Sequence, residues 1–177
     1  MKSKIISISA ISAALCAIAL AVGAYIELAD LFSLVVSSVF VIMPLYLKSY
    51  KGCLLTYLSG GVIAFLFSGF NIISLVFPSY FAFFGIYPIL RSFMIEKKFN
   101  KVGRYVISII WFLAIAYGMY FYYTLIMHGV IENLPLWITQ NVLYFIAPIA
   151  FITFVVYDRF ISVMRVFVDN YLRKIVK

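Results

Sequence analysis

The chain has 177 residues, 66% of them hydrophobic and 11% charged, with a mean hydropathy of +1.12. That composition lies far outside soluble-domain averages and excludes a soluble globular protein. The net charge of +8 does not signal a nucleic-acid binder, because the basic residues sit in short clusters at the ends of apolar runs, where membrane topology and anionic lipid headgroups place them.

A spanning helix takes about 20 apolar residues, so the length fits about six spans with short connections and no separate soluble domain. The first span is residues 5–26, preceded by Lys2 and Lys4. Ala17, Ala19 and Ala21 offer small-residue cleavage sites, but the run exceeds the apolar stretch of a secretory signal, so it is read as a retained helix. Ser9, Ala13, Ala17 and Ala21 recur at i+4, with Ala10 and Ala14 beside them. Such a stripe lets another helix approach closely, either within the chain or from a partner subunit.

Glu27 and Asp30 mark a short turn. Span two covers residues 31–47, with Pro44 near its end and Lys48 and Lys51 after it. Span three, residues 53–68, contains Gly60 and Gly61, which predict close helix contact. Span four, residues 72–90, holds Pro78 and Pro88, which bend or end it. The stretch Arg91 to Arg104 follows, with five Lys and Arg residues, and is read as a cytoplasmic loop. Span five is residues 105–127, with the tyrosines near its end forming an interfacial belt. Span six is residues 135–157, with Pro135 opening it and Pro148 inside. In the tail, residues 158–177, Asp158, Ser162, Arg165, Asp169, Arg173 and Lys177 recur every three or four positions. This predicts an amphipathic helix that lies along the cytoplasmic surface or continues out of span six.

The fold class is therefore all-α: a single six-helix transmembrane domain over residues 1–177, both termini cytoplasmic, in a cytoplasmic (inner) cell membrane. With that topology all 14 Lys and Arg residues fall inside, and the outer loops hold only Glu27, Asp30 and Glu132.

Catalysis within a membrane needs ionisable residues in the spans, and none of these span interiors contains one. The sole histidine, His128, sits at an outer helix end, and no zinc-protease or phosphate-loop motif is present. Cys16 and Cys53 offer no metal spacing or disulfide framework. No enzyme, metal or cofactor is expected. A small-molecule pocket on the outer half is the remaining chemistry, with Trp137, Gln140, Asn141, Glu132, Asn71 and Glu27 as candidate ligand contacts. A few such polar groups orient a ligand in a mostly apolar pocket, although the same residues also suit an ordinary interfacial belt.

The six-span topology, the AxxxA pairs Ala10/Ala14 and Ala13/Ala17, and the turn Tyr50–Lys51–Gly52 leading into Gly60 and Gly61 resemble the substrate-binding S-components of energy-coupling factor transporters. The stretch Phe83 to Arg91 is also similar to a motif of uncharacterised bacterial membrane proteins of this size. The resemblance implies a vitamin- or micronutrient-binding subunit. Ala10, Ala13, Ala14 and Ala17 would dock a coupling transmembrane subunit driven by two ATPase subunits. The first outer loop is shorter than that family's. The competing reading is a non-transporting structural or assembly protein that binds another membrane complex.

Overall fold

A computed structural model describes residues 2–70, 74–126 and 136–175, with the side chains of a few residues inside these ranges left out. All of its regular structure is helical, and five helical segments are long and apolar enough to cross a membrane, one of them, Asp30–Leu47, being an α-helix continued by a 3₁₀ turn. In chain order the helices are α1 (Lys2–Tyr25), α2 (Asp30–Ile42), α3 (Tyr50–Phe67), α4 (Val76–Ser79), α5 (Tyr87–Glu96), α6 (Lys101–Ile126) and α7 (Leu136–Ile175).

The most extensive contacts join α1 to α3 and α1 to α2. The Thr56 hydroxyl donates to the Ser9 carbonyl at 3.2 Å, and Tyr25 donates to the Phe67 carbonyl at 2.9 Å. Contacts that climb both helices together mean that α1 and α3 run parallel. Gly60 permits this approach, because a Cβ there would meet the Cys16 sulfur at 2.9 Å and the Ala13 carbonyl at 3.3 Å. Between α2 and α3, Pro44 sits at the start of a tight 3₁₀ turn, Met43–Leu47, and Ser49 caps α3 by accepting from the Gly52 amide at 3.1 Å. Tyr50 at the start of α3 donates to Glu96 at the end of α5. Tyr105 near the start of α6 donates to Asp158 of α7. Lys48, Lys51, the basic stretch around Glu96 and the basic second half of α7 are thereby gathered at one end of the bundle, the basic end.

The segment between α3 and α6 returns the chain to that end, and it is not one helix. The sequence predicts a single span over 72–90; the structure divides it into α4, a π-helical turn at Tyr80–Phe84, and α5. The cause is local. Pro88 has no amide hydrogen, so the Phe84 carbonyl loses its helical donor. The Gly85 amide bonds to Tyr80 at 2.9 Å in the wider π register, which orphans the Phe81 carbonyl. Broken backbone at membrane depth is tolerated only where protein resatisfies it. Here Tyr57 donates to Phe81 O at 2.9 Å and Ser38 to Phe84 O at 2.7 Å, while the Tyr157 hydroxyl lies 2.9 Å from Ser38 Oγ and 3.2 Å from Phe84 O, either of which can accept its hydrogen. This broken segment is also the core. Val76, Phe77, Tyr80, Phe83, Phe84 and Tyr87 are all buried, and Phe83 packs with Tyr87 and Phe112 at ring distances of 4.7 Å.

The second half of α7 decides a question the sequence leaves open. The tail is not a separate surface helix: α7 runs unbroken through Pro148 for 40 residues, about 60 Å at 1.5 Å per residue. Its polar stripe faces the bundle. Asp158 is buried and Ser162, Arg165 and Asp169 are half-buried, while Val163, Val166, Phe167 and Tyr171 point outward and are exposed.

Candidate functional site

The predicted ligand contacts fall largely beyond what the structure describes. Asn71 and Glu132 lie outside the described residues, as do the side chains of Glu27, Trp137 and Gln140; Asn141 is exposed near the start of α7. What the structure does show is a wide-open cleft of about 510 Å³ at the end of the bundle opposite the basic end. Leu31, Leu75, Phe112, Met119, Phe145 and Ile149 are among its walls, drawn from α2, α6, α7 and the approach to α4. Its lining is almost wholly apolar, with Tyr120 and Thr153 supplying hydroxyls. Leu31, Leu75 and Phe145 each stand four positions along the chain from a predicted contact, namely Glu27, Asn71 and Asn141. The volume falls in the range of small-molecule sites. α6 is the least buried of the five long segments, and Tyr105, Ser108, Trp111 and Phe112 are among the residues through which it meets the bundle.

The small-residue stripe of α1 is split by its surroundings. Ala13 and Ala17 are buried on the α3 side of the helix, whereas Ala10 and Ala14 are exposed. All four line an open apolar groove of about 880 Å³ between α1 and α3, together with Ile18, Ser59, Ile63 and Phe67. Intrachain packing and an accessible groove are thus both present on one helix.

The residues that sequence reasoning missed form a buried polar cluster toward the basic end. Arg91, expected in a solvated loop, lies on α5 and is buried; Asp158, expected on a surface tail, is buried beside it. The Arg91 Nε donates to Asp158 Oδ1, and its Nη2 reaches Asp158 Oδ2 at 3.4 Å and Ser162 Oγ at 2.5 Å. Tyr87 donates to Oδ1 at 2.6 Å and Tyr105 to Oδ2 at 2.7 Å. The Ser162 hydroxyl is itself a donor to the Asp158 carbonyl at 2.7 Å. Burying this charge is costly unless paired and hydrogen-bonded, and here the carboxylate has a partner on both oxygens. The cluster ties α5, α6 and α7 together, and both oxygens of Asp158 already accept from protein donors. The signal was available as two i, i+4 polar pairs, Tyr87/Arg91 and Asp158/Ser162, each at the end of an apolar run.

No family model matches the sequence, and no curated protein or solved structure matches it either.

Proposed function

We propose that the chain is a six-span membrane subunit, basic end toward the cytoplasm, that binds a small molecule in the outer half of the bundle for an ATP-driven uptake transporter. The observation that carries this reading is the cleft between α2, α6 and α7. Its apolar walls suit a ligand that is largely apolar, with the hydroxyls of Tyr120 and Thr153 to orient it; Asn141, one turn before Phe145 on α7, is the polar group from the sequence that this reading adds. The fourth crossing in this reading is the broken segment α4–α5. Breaks of that kind accompany binding sites in transport proteins. The chain performs no catalysis in this scheme; the coupling subunit and two ATPases supply the energy, and the groove on α1 takes a helix of the coupling subunit. Extraction of the purified chain followed by mass spectrometry of the released small molecules tests this. Filling the cleft with Ala116→Phe, or removing a polar group with Asn141→Leu, reduces the amount of released ligand. Unchanged release from both variants would remove the cleft from the site.

A second reading has its own support. The outward apolar face of Val163, Val166, Phe167 and Tyr171 on the far half of α7 suits a protein that assembles with another membrane complex and carries no ligand. A mild-detergent pull-down from native membrane separates the two: recovery of a membrane subunit with two ATPases supports uptake, and recovery of a different complex supports assembly.

A further inference from the structure

At the basic end lies a pocket that the uptake reading does not use. Its volume is about 320 Å³, and it is lined by Lys48, Arg165 and Arg173, by Glu96 and Asp169, and by Tyr46 among others. Arg165, Asp169 and Arg173 follow one another at i+4 on α7, the first two half-buried and Arg173 exposed. Lys48, which closes the turn before α3 in a left-handed conformation with φ 52°, also lines the pocket.

The charges in this pocket are not spent on one another. Among the described residues the ion pair is Arg91 with Asp158, and Lys48, Arg165 and Arg173 form none. Glu96 is already engaged, since Tyr50 donates to its Oε2 at 2.6 Å. Three cations thus share a concave space with two carboxylates, Glu96 and Asp169, which leaves the pocket an excess of one positive charge. Guanidinium groups match the oxygens of a phosphate with paired donors, and a lysine adds a mobile point charge. Tyr46 lines the pocket and Tyr50 reaches its Glu96, as aromatic residues do at headgroup level. Basic pockets between helices at that level receive phospholipid headgroups.

We propose that this pocket binds a phosphate group, through Arg165, Arg173 and Lys48. A phospholipid headgroup and a soluble phosphate ester share that chemistry, and the experiment distinguishes them. The full chain is purified in mild detergent, mixed with phosphatidylglycerol and examined by native mass spectrometry. Thermal unfolding is followed separately with millimolar glycerol phosphate. The variant Arg165→Gln/Arg173→Gln is compared with Arg159→Gln/Lys97→Gln, which removes the same charge from exposed positions outside the pocket. Losing two charge-assisted contacts lowers retained lipid by about tenfold or more, while the control pair retains the wild-type amount. Lys48→Gln, which lies outside every helix, gives a smaller loss of about threefold and guards against an effect of disturbing α7. A headgroup source is shown by this pattern with phosphatidylglycerol. A soluble source is shown if lipid is not retained but glycerol phosphate raises the unfolding temperature of the wild type and not of the double variant. Equal losses in the control pair, or no response to either probe, overturns the proposal.

Discussion

Arg91 of α5 and Asp158 of α7, 67 positions apart in the chain, form a buried ion pair in which Tyr87 and Tyr105 also donate to the carboxylate and Ser162 accepts from the guanidinium. Removing one partner strands the other charge, so Arg91→Met or Asp158→Leu each destabilises by about 3–5 kcal/mol. The double variant loses much less than the sum, because neither charge is left behind. Unfolding in detergent measures all three; strict additivity would show that the two groups act independently.

The Phe84 carbonyl, orphaned by Pro88, has two hydroxyls within reach, and with Ser38 gone the Tyr157 hydrogen is free to turn to it, so it tolerates the loss of one. Ser38→Ala or Tyr157→Phe alone is mild. The pair together leaves a buried acceptor unmade and costs about 1–3 kcal/mol beyond the single effects. A double variant no worse than the two singles combined would show that the carbonyl finds another donor.

Glycine matters at the centre of the broken segment and not in α6. A Cβ at Gly85 collides with the Tyr57 ring and comes within 2.8 Å of the Tyr80 ring, whereas one at Gly118 meets nothing within 4 Å. Gly85→Ala therefore lowers stability by about 1–3 kcal/mol. Gly118→Ala raises helix propensity and is neutral or stabilising by up to about 1 kcal/mol. The same melting experiment reads both, and equal behaviour of the two would contradict the packing described.

Docking through α1 is tested most cleanly at Ala14. That residue is exposed in the groove, so Ala14→Leu blocks an approaching helix without touching the fold. Ala13 is buried and its carbonyl packs close to Gly60, so Ala13→Leu disturbs the α1–α3 contact as well and lowers the melting temperature. Co-purification of partners is lost with Ala14→Leu at unchanged stability. Full recovery of partners with that variant would end the docking role of the stripe.

The membrane character of this protein and the place of its long helices are written in composition and in runs of apolar residues. Those are local quantities, set by the cost of exposing backbone and charge to hydrocarbon. The proline positions foretold a disturbed fourth segment, though not that it would become the core, because burial depends on which distant side chains satisfy the freed carbonyls. Tyr57, Ser38 and Tyr157 are such side chains, and nothing near Phe81 or Phe84 in the chain announces them. The polar stripe of α7 shows the same limit. Its spacing established an amphipathic helix, but spacing is silent on which face turns inward. Arg91, Tyr87 and Tyr105 decide that by giving Asp158 a buried set of partners, and those partners are assembled only when α5, α6 and α7 meet in space.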